Sequence, residues 1–552
     1  MNSLLLVSLS TCTLSAAWEV TFEKQVIDKA FKTETCAVAD VNRDGRLDVI
    51  AGENWYAAPD WTPHPFRAMP IEGGYADGRC DYGVDVNGDG WTDVVTVRRA
   101  SAMEWLENPK GGSGKWKVHK IGDASQTKGV IFADIDGDGV GDFLGATGGP
   151  DGPVAWWKQE KDPYSPWRMT EIGKKGGSLH GLGVGDMNRD GRADALVQGG
   201  WYEAPENPLT GEWTFHPMDR GHTHHTVVYD FDGDGDQDVA AGDPHGYGLY
   251  WWEQVDEGGS PAWKQHTIDD KWSQVGTLIA ADVDGDGDSD LVTGKRYYAH
   301  NGKDPGADEP ALLIWYELSR RDDKASFEKH VIDDDSGVGY TATVTDIDGD
   351  GDLDVVTANR KGVHLFVQKG APTILPLFNG KNLDGWVADE SLWSVDNGEL
   401  IGKTETGIKH NNFIQSKGSY DDFVLTLQVK LVPDSANSGI QFRSEPADHG
   451  EVKGYQADIG YGWWGSIYYE LSPRALLNDG YKGRGQKAVV KDKWNDYVIY
   501  AVGDEMRVEI NGTLCTHLFD NERKAGIFAP QIHSGGPTDV RFRNFKLRKV
   551  EQ

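Results

Sequence analysis

Seven times between residues 40 and 354 the chain repeats Asp-x-[Asp/Asn]-x-Asp-Gly-x-x-Asp. Carboxylates or amides at positions 1, 3, 5 and 9 place hard oxygen donors on alternate residues. Gly at position 6 allows the sharp turn that an oxygen cage for Ca²⁺ requires. The expected ligands are Asp40, Asn42, Asp44 and Asp48 in the first loop, and Asp85, Asn87, Asp89 and Asp93 in the second. Asp134, Asp136, Asp138 and Asp142 follow in the third, and Asp186, Asn188, Asp190 and Asp194 in the fourth. The last three loops offer Asp230, Asp232, Asp234 and Asp238; Asp282, Asp284, Asp286 and Asp290; and Asp346, Asp348, Asp350 and Asp354. Up to seven structural calcium ions are therefore expected. An EF-hand would need a bidentate Glu at position 12 and flanking helices. Here Asp closes each loop at position 9 between strand-like flanks such as TCAVAD and VIAG.

The elements that carry these loops follow from their spacing. Successive loops start 45, 49, 52, 44, 52 and 64 residues apart. Several short strands per period of this length predict β-propeller blades. A Trp-rich strand usually follows each loop, and a further strand carries His119, His216, His266 or His330 at one repeated position. Those histidines are read as structural. FEKQVID (22–28) nearly copies FEKHVID (327–333), so the first strand is expected to complete the last blade and remove an open sheet edge. Over residues 18–370 this pattern resembles the FG-GAP/VCBS repeat propellers, which implies a seven-bladed calcium-binding ring.

The end of each inner strand away from the acidic loops offers a second set of groups. Six residues before successive loops stand Arg79, Lys128, His180, His224 and Tyr340, among others. Basic residues around one mouth of so acidic a chain suit a carboxylated or sulfated sugar. His224 and Tyr340 could serve as base and acid in β-elimination from a uronic acid, with Arg79 neutralising its carboxylate. Ordinary hydrophilic tips around a watery funnel are the plainer alternative.

After Gly370 the repeats stop, and alternating apolar runs over 373–550 predict an antiparallel β-sandwich. FNGKNLDGW (378–386), NSGIQFR (437–443), GYQADIG (454–460), WGSIYYE (464–470) and AGIFAPQIHSGGPTDVRFRNFKL (525–547) resemble, in order, the 3-keto-disaccharide hydrolase family, DUF1080. The resemblance implies a concanavalin-like jelly roll and a glycoside oxidised to a ketone at C3. Strand parity adds a site. Gln441 with Arg443, Gln456 with Asp458, Tyr468 with Glu470, and Gln531 with His533 each share a face, flanked by Trp463 and Trp464 for stacking. A ketone at C3 acidifies the C2 proton, and the resulting enolate can expel the C1 aglycone. His533 is the expected base, Glu470 or Asp458 the other proton-transfer group, and Arg443 and Gln531 the oxyanion donors. No metal-spacing motif indicates a catalytic divalent ion. A solvated outer face or a structural polar network is the alternative. Where related sequences continue Asp-Glu-Ser-x-Arg, this chain has Tyr469-Glu470-Leu471-Ser472-Pro473-Arg474.

The formal charge of −33 argues against a nucleic-acid partner. The loops contain 28 aspartates, so metal ligation accounts for part of that charge. Residues 4–17 are apolar, too short to span a bilayer, and precede a plausible cleavage site after Ala17. A signal peptide over 1–17 and a secreted, periplasmic or cell-surface protein without a transmembrane segment are expected. Cys36, Cys80 and Cys515 then remain, an odd number read as buried thiols. Three functions stay open: a 3-keto-glycoside hydrolase or lyase with a binding propeller; a propeller polysaccharide lyase acting on uronate-rich glycans, with the sandwich as its binding module; and a non-catalytic glycan-binding or adhesion protein.

Overall fold

The computed structural model describes residues 20–99, 102–123, 130–147, 152–176, 181–256, 261–320, 324–370, 374–375 and 377–550. The expected signal segment, Lys128 and His180 lie outside these residues. Among the described residues from Thr21 to Lys369 there are seven four-stranded antiparallel sheets and one small hairpin, Ile71–Glu72 with Tyr75–Ala76. The first strand, Thr21–Asp28, pairs with Gly362–Lys369 and so belongs to the seventh sheet.

Central strands such as Asp48–Ala51, Asp142–Ala146 and Asp238–Gly242 are buried throughout, because neighbouring sheets cover both faces. The apolar clusters between sheets close a cycle. Ile50 and Phe66 of the first sheet meet Val94 and Trp116 of the second. Further clusters join second to third, third to fourth, fourth to fifth, fifth to sixth and sixth to seventh. Val356 and Leu365 then meet Val49 and Tyr56, returning from the seventh sheet to the first. Around the rim, Trp55, Trp105, Trp201, Trp251 and Trp315 stack on His64, His119, His216, His266 and His330 at 4.2–4.5 Å. Glu107, Glu203, Glu253 and Glu317 take the Nε2 edge of the last four imidazoles at 2.5–3.0 Å. In the second, fourth, fifth and sixth sheets the repeated histidine thus bridges two strands.

Six of the seven acidic loops are tied down by their ninth residue, whereas Asp142 of the third has neither carboxylate oxygen bonded to protein. Asp48 accepts the Val41 and Ala58 amides at 3.0 and 2.9 Å, joining the loop to the third strand of its sheet. Asp93, Asp194, Asp238, Asp290 and Asp354 accept the equivalent pair of amides. These aspartates, expected as metal ligands, thus first satisfy backbone donors. Cys36, Cys80 and Cys515 are buried free thiols.

From Ile374 to Lys549 two antiparallel sheets pack as a sandwich. One is six-stranded, with Ile527–Ile532, Asn437–Pro446, Val452–Gly460 and Ile467–Glu470 adjacent in that order. The other is eight-stranded and centres on Thr538–Lys549, Phe423–Val432 and Asn495–Val502. Ile440, Phe442, Tyr455, Ala457, Ile467 and Phe528 of the first sheet meet Leu425, Val429, Ile499 and Phe542 of the second in one core. A nine-residue helix, Gly480–Ala488, packs on the edge strand Thr513–Phe519. No described helix is long and apolar enough to cross a membrane.

The sandwich docks on the acidic-loop end of the ring. Arg507 donates to Asp288 at 2.9 Å and Asp286 at 3.0 Å, both in the sixth loop. Arg320 of the ring pairs with Asp288 and with Glu509 of the sandwich, each at 3.2 Å. Arg548 reaches Gly351 of the seventh loop at 3.1 Å, and Arg189 of the fourth donates to Thr513 at 3.1 Å. Burial alone would push the Asp288 carboxyl up, but Arg320 and Arg507 hold it below the usual carboxylate range. A cavity of about 420 Å³ opens beside this contact, between Asp186–Gly191 and Lys487–Lys491. Breaking one partner of a buried ion cluster costs about 3–5 kcal/mol. Arg507→Ala is therefore expected to loosen the two domains by that order. Thermal unfolding of the full chain should resolve into two transitions, with faster proteolysis at 370–374.

Candidate functional site

The register of the six-stranded sheet brings most of the expected sandwich residues onto one face. Gln441 lies opposite Gln456, and Gln456 opposite Tyr468. One step along, Gln531 lies opposite Gly439, and Gly439 opposite Asp458. Alternation puts these groups and Glu470 on the face away from the core. Gly439 is required here, because a Cβ at that position would come within 2.6 Å of the Gln456 side chain. The Gln441 amide donates to Gln456 at 3.0 Å, and Gln456 donates to Asp458 at 2.8 Å.

Gln441, Gln456, Asp458 and Gln531 are all buried, forming a floor. Tyr468, Glu470 and His533 are half-buried at its rim. Burial raises the Asp458 carboxyl to about 8, helped by the charge of Glu470 and opposed by the Gln456 hydrogen bond. Asp458 is thus a protonated acid at neutral pH. Glu470 is also raised, by burial and then by Glu451. The Gln531 amide is buried with neither its nitrogen nor its oxygen bonded to protein. Such a group is costly unless a ligand or water satisfies it. His533 directs Nδ1 at the Ser534 carbonyl, 2.7 Å away, which fixes the proton there and leaves Nε2 as the basic edge.

Three expectations need correction. Arg443 does not share the face of Gln441. A bulge interrupts the pairing between Phe442 and Glu445, Arg443 has φ of 44°, and its guanidinium turns inward. There it bonds Asp421, Asp422, Ala501 and Gly503 at 2.6–3.0 Å, binding the two sheets together. Trp464 is a core residue, packed in the same apolar cluster as Tyr497 and Ile467. His533 and Glu470 stand at opposite corners of the sheet. His533 is level with Asn437 and Gly460, whereas Glu470 is level with Gly454. At about 3.3 Å per residue and about 4.8 Å per strand, their backbones are about 25 Å apart, whereas those of His533 and Asp458 are about 12 Å apart. Only the second separation suits one sugar ring.

The turn after Gly460 lies at the His533 end. It exposes Trp463 (40 %) and Tyr461 (63 %), two aromatic faces beside the floor. Sequence reasoning found Trp463 but missed Tyr461, although both flank the same Gly462.

At the mouth of the ring, Arg79 donates to the Tyr340 hydroxyl at 2.5 Å, and Arg296 donates to it at 2.9 Å. Arg296 also holds Glu34 at 3.1 Å. His224 is buried, stacked on His225 at 4.4 Å and 6.2 Å from the Tyr340 ring, with Nδ1 at 2.6 Å from the Gly276 carbonyl. Arg79, His224 and Tyr340 thus come together, but as a buried network and not as open tips. Of the acidic loops, four gather three carboxylates each within 4.8 Å of one another: Asp134, Asp136 and Asp142; Asp230, Asp232 and Asp234; Asp282, Asp284 and Asp286; Asp346, Asp348 and Asp354. Burial and then the Asp234 and Asp230 charges raise Asp232 to about 8.

Residues 374–548 match the family described as 3-keto-alpha-glucoside-1,2-lyase-like domain, and residues 85–145 and 230–293 match FG-GAP-like repeats. The chain thus joins FG-GAP-like repeats to a 3-keto-alpha-glucoside-1,2-lyase-like domain. Among solved structures, it is similar to a candidate glycosyl hydrolase from Parabacteroides distasonis at 20% identity, covering 32% of this chain and 100% of that one, with a TM-score of 0.24. It is also similar to the carbohydrate-binding module CBM66 from Bacillus subtilis at 15% identity, over 30% of this chain and 96% of that one, with a TM-score of 0.24. Comparison with curated proteins returns no match.

The folded Asp458 carboxyl is raised from 3.8 to about 8, so the native state binds the extra proton between those values. Its contribution to stability is therefore full below about pH 4 and lost as pH rises through about 8. Asp458→Asn is expected to gain thermal stability over the parent at the alkaline end of that window and none at its acid end. Melting curves across the window, with calcium present, measure the difference.

Proposed function

We propose that the sandwich cleaves glycosides carrying a ketone at C3, and that the ring is a seven-bladed propeller held rigid by calcium. The observation that carries the first part is the buried Asp458 held by Gln456 in an amide floor that leaves Gln531 unsatisfied. In this reading the sandwich is a concanavalin-like jelly roll, and the sugar stacks on Trp463 and Tyr461 with its reacting carbons over Gln531.

Nε2 of His533 removes the C2 proton, and the electron pair passes to the C3 oxygen as an enolate. The Gln531 amide nitrogen donates to that oxygen. The pair then returns to form the C1–C2 double bond as the C1–O bond breaks. Asp458 gives its proton to the departing aglycone oxygen and becomes a carboxylate. The products are the free aglycone and a 1,2-unsaturated 3-keto sugar. Addition of water across that bond would complete a hydrolysis. Glu470, remote from His533, acts on Asp458 through charge. Arg443 has no part in the chemistry, since its guanidinium is bound within the fold.

The ring supports the second part through its loops. Their oxygen donors fit Ca²⁺, and the raised carboxylates would be discharged by it. The ion would supply rigidity, with no role in bond cleavage. A secreted setting, where calcium is abundant, accords with such loops.

Removal of one acid–base group costs about 10²–10⁴ in rate. His533→Ala and Asp458→Asn are expected to lower turnover of a 3-keto-glucoside by that order, while Glu470→Gln lowers it far less. Wild-type turnover by the His533 variant would sink the assignment. Chelation should leave the chemistry of the floor intact but lower the melting temperature of the ring. A site held at a hundredfold excess over its Kd contributes about 2.7 kcal/mol, so several emptied sites should give a large shift by calorimetry.

A further inference from the structure

The mouth of the ring holds a second constellation that the reading above leaves unused. His245 lies between strands Asp238–Gly242 and Tyr247–Asp256 of the fifth sheet. His300 and Asp304 lie between Asp290–Lys295 and Leu313–Arg320 of the sixth. Nδ1 of His245 is 2.9 Å from one Asp304 oxygen, and Nδ1 of His300 is 2.9 Å from the other. The two imidazoles stack at 4.4 Å, and His222 stacks on the outer face of His245 at 5.3 Å. One donor atom from each of His245, His300 and Asp304 lies within 4.8 Å of the others.

We propose that His245, His300 and Asp304 form a binding site for a divalent transition-metal ion of the zinc class. Two imidazole nitrogens and one carboxylate oxygen are the donors that such ions favour over Ca²⁺, which takes oxygen alone. A tetrahedral ion with bonds of about 2.0–2.1 Å separates its ligands by about 3.3 Å. The two 2.9 Å contacts run to different Asp304 oxygens, so binding requires the side chains to rotate until both imidazoles and one carboxylate oxygen face the ion, from a starting span of at most 4.8 Å.

The surrounding structure holds the donors in place. Gln274 donates to the Pro305 carbonyl at 2.8 Å, immediately after Asp304. The buried Lys295 ammonium bonds the Gly306 carbonyl and Glu309, and Tyr247 donates to Glu309 at 2.6 Å. His300 keeps a left-handed backbone at φ 48°. A non-glycine residue persists there only when its surroundings over-determine it. All three donors remain partly exposed, with side-chain accessibilities of 23, 34 and 12%. Three protein ligands with solvent beside them leave coordination positions open, the arrangement of an ion that takes a further oxygen ligand. An anionic sugar carboxylate would suit those positions.

The test uses the full chain, stripped with chelator and returned to millimolar calcium so that the acidic loops are filled. Co²⁺ is then added as the probe and followed by its visible bands. One Co²⁺ per chain is expected, with imidazole scattering in its X-ray absorption spectrum. His300→Gln and Asp304→Asn should weaken it by more than about 100-fold, beyond the ~10–100-fold set by partners of ligands, with melting unchanged. No Co²⁺ binding by the wild type at micromolar concentration would overturn the site, as would wild-type affinity in both variants. If the variants fail to fold, the wild-type spectrum decides: oxygen-only scattering places the ion in the acidic loops and rejects the proposal.

Discussion

Carboxylate crowding at one end of the ring is the constraint on which the rest of the molecule depends. Four loops set three aspartates within 4.8 Å of one another, and burial makes their charge costlier still. The fold meets this load in three ways. The ninth aspartate of six loops accepts two backbone amides, and so turns a charge into a strand clamp. At the middle positions a cation would discharge the load under the proposed reading. In the sixth loop the load passes to arginines, with Arg320 and Arg507 both meeting Asp288. The sandwich is therefore attached through the same charges that shape the ring.

In the sandwich the corresponding constraint is an acid without a cation. Asp458 has amides around it and no guanidinium among its bonds. Arg443, the nearest candidate by sequence, is turned toward Asp422 at 2.6 Å. That placement keeps the carboxyl neutral. Had Arg443 stayed on the polar face, its charge would have favoured the ionised form of Asp458. The bulge that redirects Arg443 thus serves both ends: it fastens the two sheets and leaves the floor uncharged.

Much of this could be read from the chain, and the limits have physical causes. The acidic loops were legible because their donors sit at fixed positions within nine residues. The Trp–His stacks were half legible, since the histidine recurs but its glutamate lies twelve or thirteen residues away. Parity found the amide floor because it depends only on alternation, and it failed at Arg443 because a bulge adds a residue. Trp464 was misread because a turn has no parity. His245 and His300 lie in links of unequal length on different sheets, and Arg507 meets Asp288 across 219 positions. No local pattern encodes either pairing.

The direction of docking decides how the two domains can share a ligand. The acidic loops join the first and second strands of each sheet, so the mouth, with Arg79, Tyr340 and the His245 cluster, lies at the other end of those strands. The sandwich occupies the loop end. A single glycosidic bond therefore cannot lie on the amide floor and at the mouth together. A mouth that holds sugar must hold another part of the same polymer, or another molecule. Its contribution to cleavage is then effective concentration, set by the fixed geometry of the arginine-linked interface. Under the proposed reading the two chemistries would then lie apart, with basic and histidine groups at one end and a neutral acid and an imidazole at the other.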